Sequence, residues 1–398
     1  MYMKWKNKGR EFDECASLIS ENFKRNIYVF GTGQVGERLG YSLMNFGMLG
    51  GFIDNSIRKQ GREFLGMEVL SLDEYLERTN EKAIVIATTY KNNSNEIENQ
   101  LTGAGLHRGQ DYYLTDEFVS KILPIIAVYE YNKTFMWLAQ IVLTERCSLK
   151  CKKCAHACAY VNSSSKDMSL EEVYKSADCF FKKVDFIGEF VLIGGEPLLY
   201  RELANAIEYI GEHYRKQMGN FCITTNGTII PGEEVLIACR NNCVKFEISN
   251  YSKTLPWIKE RQDKLIRELN KYGISYVLAS EDGNWIDYGF DEVNNKIDED
   301  YLIDLFDACH TPCREVRGSK LFYCVMARSV SDNMGFGENE EDYLDLEKMS
   351  EDNYKKELME YNYGYSEKGY LKMCHRCRGK NAEKFPIPVA EQLIDENT

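Results

Sequence analysis

Long apolar runs are missing from this sequence. No stretch of its 398 residues approaches the roughly 20 apolar residues that cross a bilayer, and no basic start leads into an apolar export segment. No membrane span is expected, and the expected location is the cytoplasm. Positive charge is short as well: 49 Lys and Arg stand against 62 Asp and Glu, a formal charge of -13. Phosphate recognition draws most of its affinity from Lys and Arg, so this charge argues against nucleic acid and anionic membranes as partners. Small molecules or neutral to basic polymers fit better. Internal repeats and low-complexity tracts are also absent.

What the chain does have is cysteine, 14 residues of it. Disulfides would be the reading for a short secreted chain. This one is long enough for roughly two or three domains with a sizeable core, and several of its cysteines sit in C-x2-C or C-x3-C groups. In a reducing compartment such groups are metal sites.

The first unit, residues 1–125, begins at "NIYVFGTGQVGERLGYSLMNFG", an apolar strand running into Gly31, Gly33 and Gly36 and then an amphipathic helix. The glycines permit a sharp turn and close approach to a phosphate at the helix N-terminus. Asp54, closing the next strand in "GFIDNS", sits where a ribose hydroxyl would be met. A further strand, "AIVIAT", completes a Rossmann-like domain that would take a nucleotide or nucleotide-sugar. The alternative is a docking domain whose glycines serve helix packing alone.

From 136 to 300, strands alternate with helical stretches: "MWLAQIVLT", "FVLIGGEP", "FCITTNG", "VKFEISN" and "ISYVLAS". About five βα units fit, too few for a full barrel. Residues 301–398 change character, with the hairpin "CHTPCREVRGSKLFYC" turning at Gly318, an acidic helical segment near 337–361, and "MCHRC". Metal cross-linking would help so irregular a segment fold.

Cys147, Cys151 and Cys154 give C-x3-C-x2-C on the loop after the first barrel strand. Three thiolates on a four-iron cluster leave one iron open to an exogenous ligand. The competing reading is zinc, closed by Cys158 or His156. Downstream, "LIGGEP" puts Gly194, Gly195, Glu196 and Pro197 at the tip of the second strand. "TTNG" puts Thr224, Thr225 and Asn226 at the third, and "EISN" puts Glu247, Ser249 and Asn250 at the fourth. Four successive tips carry ligand-type residues on the face where a ligand would lie.

Residues 136 to about 280 therefore resemble the radical S-adenosylmethionine (radical SAM) superfamily. The resemblance implies an α/β fold with a partial (β/α)6 barrel and a [4Fe–4S] cluster on Cys147, Cys151 and Cys154. It also implies SAM chelated to the open iron, with its amino group met by the Gly194–Pro197 motif. The cleaved SAM would yield a 5'-deoxyadenosyl radical that takes a hydrogen atom from substrate, after reduction by a donor such as flavodoxin or ferredoxin. Many members carry an aromatic residue where Lys153 stands, so adenine stacking must come from elsewhere, with Tyr160 a candidate. Cys158 is left as a bystander, since a filled fourth site would block SAM.

The C-terminal cysteines resemble the family's SPASM or twitch extension, which implies one auxiliary [4Fe–4S] cluster held by four of Cys309, Cys313, Cys324, Cys374 and Cys377. A structural zinc remains the alternative. Cys15, Cys179, Cys222, Cys239 and Cys243 read as small core residues.

"EDGNWIDYGFD" offers Trp285, Asp287 and Tyr288 near the barrel mouth. An aromatic platform beside an acid suits a sugar, whereas a loop Trp packed on its own domain is the plain alternative. The N-terminal unit is similar to domains of surface-polysaccharide enzymes. Together these imply a sugar or nucleotide-linked sugar substrate undergoing epimerisation, dehydrogenation or deoxygenation. A SPASM-type peptide maturase and a non-catalytic iron–sulfur carrier or sensor are the other readings.

Overall fold

In the computed structural model, the apolar run Ile27–Phe30 forms strand β1 and ends at the left-handed Gly31. The structure describes residues 26–393 except 79–82, 89–90, 162–166, 296–297, 310, 312 and 365, together with Ala16, Ile19 and Phe23. Cys15 lies outside the described residues. Two compact units emerge, one within 7–137 with 184–188, the other 138–183 with the chain from 189 onward. The first unit runs on past residue 125 through the helix Leu123–Tyr129.

The first unit contains β1, helix α1 (Gln34–Asn45), β2 (Leu49–Ile53), β3 (Glu63–Phe64), β4 (Met67–Leu70), α2 (Leu72–Arg78), β5 (Ile84–Ile86), α3 (Lys91–Gly103) and β6 (Tyr112–Leu114). Its sheet runs β3-β4-β2-β1-β5-β6. All pairs are parallel except β3 with β4. Val29 and Phe30 enter different core clusters, so both faces are covered and the strand reads as a continuous apolar run. The chain order reverses between β1 and β5, the point where doubly wound sheets open a crevice. Helix α1 packs tightly there: a Cβ on Gly36 would stand 1.9 Å from the Gly31 carbonyl oxygen. A serine–glutamate capping box, Ser71 with Glu74, starts α2.

A second sheet is ordered β11-β10-β9-β8-β7-β13-β14-β15. Its strands are β7 (Phe135–Val142), β8 (Phe186–Ile193), β9 (Met218–Thr225), β10 (Val244–Ile248), β11 (Tyr276–Leu278), β13 (Arg314–Arg317), β14 (Lys320–Phe322) and β15 (Tyr343–Asp345). Strand β12 (Asn284–Ile286) pairs instead with β16 (Pro386–Pro388). Helices α4 (Leu170–Lys183), α5 (Leu203–Tyr214), α6 (Glu233–Asn241) and α7 (Ile258–Tyr272) link β7 to β11, as the alternation predicts. Phe180 and Phe181 of α4 rest on Phe190 of β8, with ring centroids 5.5 and 4.9 Å apart. That face of the sheet is the helix-covered one, and Glu189, one residue earlier, points to the other.

Three expectations need correction. A parallel strand comes from beyond residue 300: β13 pairs with β7, Arg314 beside Ala139 and Glu315 beside Gln140. The C-terminal segment therefore contributes strands to this sheet. The acidic stretch is α-helical only over Tyr354–Asn362, with one 3₁₀ turn at Glu340–Asp342, since β15 adds antiparallel to the hairpin. Cys243 is exposed, because it occupies a left-handed turn position (φ 52°) between α6 and β10, while Cys222 and Cys239 are buried. Among the described residues, no helix is long and apolar enough to cross a membrane.

Replacing Gly36 by alanine forces a backbone clash at the α1–β1 junction and should lower stability by about 1–3 kcal/mol. Denaturant titration followed by circular dichroism measures it.

Candidate active site

The loop after β7 has little regular structure, and main-chain bonds fix it. Leu143 N donates to Ile193 O (2.8 Å), Gly195 N to Thr144 O (2.7 Å) and Glu196 N to Arg146 O (2.8 Å). A Cβ on Gly194 would come within 2.7 Å of the Thr144 oxygen, and one on Gly195 within 2.3 Å of the Arg146 oxygen. Glycine is required here by the close approach of two backbones. Arg146 adds a bidentate bond to Asp167, at 2.9 and 2.7 Å.

Beyond this anchor the loop curls through left-handed Lys153 (φ 55°) and Ala157 (φ 51°). Cys147, Cys151 and Cys154 then share one cluster with Leu149, Tyr251, Leu255 and Trp285. Burial pushes the Cys147 and Cys151 thiols up to about 12. Ionising them calls for a compensating cation, as a metal centre provides. Leu149 N (3.4 Å) and Asn226 Nδ2 (3.7 Å) donate to the Cys147 sulfur. The Cys158 thiol donates to the Cys154 sulfur, which draws Cys154 down and pushes Cys158 up.

The strand tips are tied in series. The Glu196 carboxylate accepts from Thr225 Oγ1 (2.7 Å), Asn226 N (2.9 Å) and Leu198 N (3.1 Å). Burial nevertheless pushes its carboxyl up to about 7. A carboxylate has about four acceptor positions, so one remains for an incoming donor. Pro197 opens a single 3₁₀ turn behind it. Gln262, buried in α7, donates to Asn226 O (3.1 Å) and Ser249 O (2.8 Å), joining the third tip to the fourth. Asn250 turns its side chain back to Ser252, at 2.7 Å. Thr224 Oγ1 donates to Glu247 at 3.2 Å.

Residues 141–249 match the model of the Radical SAM superfamily. This segment is a radical SAM domain. The chain is 30% identical over 99 residues to a GTP 3',8-cyclase of Erythrobacter litoralis (strain HTCC2594), covering 25% of this chain and 29% of that protein. A GTP 3',8-cyclase of Ectopseudomonas mendocina (strain ymp) is 30% identical over 89 residues, 22% of this chain and 26% of the other. The chain thus spans less than a third of the length of either relative. A solved structure of BtrN in complex with AdoMet and 2-DOIA covers 66% of this chain and 98% of that one, with 12% identity and a TM-score of 0.39.

The radical SAM family implies a [4Fe–4S] cluster, and the donor set fits it better than zinc. Tetrahedral zinc with Zn–S near 2.3 Å brings its sulfurs to about 3.8 Å from one another. Among the described residues, the one group of three or more metal-type donors lying within 4.8 Å of one another is Glu189, Cys222 and Glu247, not any set of three of these thiols. Ligands on different irons of a cluster stand further apart.

In the C-terminal segment, Cys309, Cys313, Cys324, Cys374 and Cys377 all line one cavity of about 330 Å³, with Tyr288 beside them. The β13–β14 hairpin pairs Glu315 with Phe322, so two further register steps set Cys313 opposite Cys324, as the Gly318 turn predicts. A void of this size exceeds a single ion's needs. In the first unit, Gly31, Gly33 and Asp54 line a crevice of about 460 Å³ with Lys59, Thr88 and Asn93. Asp54 is already engaged there, accepting from Thr32 N (3.0 Å), Thr32 Oγ1 (2.6 Å) and Lys59 Nζ (3.0 Å).

Two substrate candidates pack against side chains of their own unit. Trp285 is half-buried edge-on to Tyr251, centroids 5.5 Å apart, and belongs to the thiol cluster. Asp287 pairs with Arg378 (2.6 Å) and Lys153 (3.5 Å), so its carboxylate serves an ion-pair group. Tyr160 shares that group through Asp291.

Sequence reading missed a buried charge cluster. Arg328 of α8 (Val325–Asn333) bonds both Glu145, two residues before Cys147, and Glu315 of β13. Asn333 Nδ2 donates to Glu145 (2.8 Å) and to the His156 carbonyl (2.7 Å). Ser329 Oγ meets His156 Nδ1 at 2.8 Å, and burial beside Arg328 pushes that imidazole down to about 4. Nothing in the spelling "TERC" distinguishes this glutamate from a solvated one. Arg328→Met would leave two buried carboxylates facing one another and should cost about 3–5 kcal/mol, read as a lower denaturation midpoint.

Proposed function

We propose that the chain is a radical SAM enzyme that draws a hydrogen atom from a sugar or nucleotide-linked sugar, leading to epimerisation, dehydrogenation or deoxygenation. The observation that carries this reading is the convergence of three buried thiols, the Gly194–Pro197 motif and the polar tips of β9 and β10 in one radical SAM domain. A [4Fe–4S] cluster on Cys147, Cys151 and Cys154, with SAM on its open iron, supplies the 5'-deoxyadenosyl radical when bound. The chain's own residues bind and orient. The remaining acceptor position of Glu196 takes the SAM ammonium, and Asn226 orients Cys147. Tyr251 and Trp285 exclude water from the thiols.

Support for the substrate class comes from two places. The face of the sheet turned away from the helices carries Glu189, Asn220, Lys245 and Glu247, donors and acceptors of the kind that hold hydroxyl groups. The first unit's crevice lies at a strand-order reversal and suits a nucleotide. The relatives named GTP 3',8-cyclase match over too little of their length for that substrate to be carried over. The five-thiol cavity supports an auxiliary cluster. Four of Cys309, Cys313, Cys324, Cys374 and Cys377, which share that cavity, would be its ligands. A flavodoxin- or ferredoxin-type reductant would supply electrons.

Anaerobic reconstitution should give about eight irons per chain, two four-iron clusters, falling to about four in Cys374→Ala/Cys377→Ala. Reduced protein given SAM should form 5'-deoxyadenosine, and Cys151→Ala should not. A fully iron-loaded protein that forms none would favour the electron-carrier reading, and zinc in place of the second four irons would overturn the auxiliary cluster.

A further inference from the structure

Residues 390–393 run antiparallel to the cysteine loop. Lys152 N donates to Glu391 O (2.6 Å), Leu393 N donates to Lys150 O (2.7 Å), and Cys151 and Gln392 form a β-bridge. The Gln392 side chain folds over this bridge. Its Oε1 accepts from Lys150 N (2.8 Å), while its Nε2 donates to Ala390 O (2.7 Å) and to the Cys151 sulfur (3.1 Å).

Side-chain amides are ambiguous as to which end is nitrogen, but here the surroundings decide. Lys150 N–H can only donate and the Ala390 carbonyl can only accept. The oxygen must therefore face Lys150, and an N–H is left for sulfur. Cys151 is 7% exposed, so water has little access to take over that bond.

We infer that Gln392 is a positioning residue that tunes the SAM-binding cluster, its amide N–H setting how readily that cluster accepts an electron. This deepens the radical SAM reading and rests on it. An N–H aimed at a ligating thiolate offsets the negative charge that reduction adds, so it raises the reduction potential. The donor comes from the far C-terminal end of the chain, some 240 residues from the cysteine it serves. Electron acceptance would thus depend on seating of the C-terminal strand.

The test is a potentiometric titration of the full-length, reconstituted protein followed by electron paramagnetic resonance with and without SAM, comparing wild type with Gln392→Leu and Gln392→Glu. Neither exchange touches the main-chain bonds of Glu391 and Leu393. The SAM-sensitive signal should shift its midpoint to more negative potential in both variants, further in Gln392→Glu because a carboxylate adds charge. Iron content and the midpoint of the SAM-insensitive signal should hold. An unchanged midpoint, or an equal shift in both signals, overturns the inference while leaving the radical SAM reading intact. Should Gln392→Leu lose iron, Gln392→Glu decides, since it keeps an acceptor for Lys150 N; loss of iron in both would assign Gln392 to folding alone. A wild-type protein with no SAM-sensitive signal would sink the radical SAM reading, and this inference with it.

Discussion

The site depends on two backbones passing so closely that no side chain fits between them. The cysteine loop has few hydrogen bonds of its own, and it takes its position from Gly195 and Glu196 amides bonded to the Thr144 and Arg146 carbonyls. Everything further along inherits that placement. Glu196 reaches Thr225 and Asn226, Asn226 reaches Cys147 and the side chain of Gln262, and Gln262 reaches Ser249. Four strand tips become one hydrogen-bonded series, in which a displaced first member moves the rest. Such over-determination is how a loop site gains the rigidity of the sheet beneath it.

The same loop is held from the other side by charge. Glu145 leads into the thiols and meets Arg328, which also holds Glu315 on β13. Two carboxylates around one guanidinium, all nearly inaccessible, would lose more in desolvation than a lone pair regains unless their remaining positions were bonded. Asn333 and Ser329 fill those positions. Here the arrangement ties the C-terminal segment, which brings five cysteines to one cavity, to the loop that brings three to another.

Much of this was legible in the residues, for identifiable reasons. The strands linked by α4 to α7, the glycine turn at Gly31 and the Gly318 hairpin follow from local period and turn chemistry, which are written within a few residues. The three thiols and the Gly194–Pro197 motif were readable because close backbone approach demands glycine. The pairing of β13 with β7 was not, since it joins residues some 175 apart and four residues of "REVR" carry no sign of their neighbour. Gln262 was missed on an amphipathic helix where a lone glutamine reads as surface. The packing of Trp285 against Tyr251 and of Asp287 against Arg378 depends on partners the local sequence does not name.

The sheet's two faces are unequal, and that inequality bears on where a substrate sits. Toward the helices, β8 and β9 present Phe190 and Phe221, both fully buried. Away from them, β7 to β10 present Gln140, Glu189, Asn220, Cys222 and Glu247. Glu189 is 3% exposed and takes the Cys222 thiol at 3.7 Å, and Gln140 Nε2 is buried without a hydrogen-bond partner. Burying such groups costs free energy that valine or isoleucine would have spared. A fold selected for stability alone would have no use for this set. Its position below the tips that gather around Cys147 is the observation on which the proposed hydroxylated substrate rests.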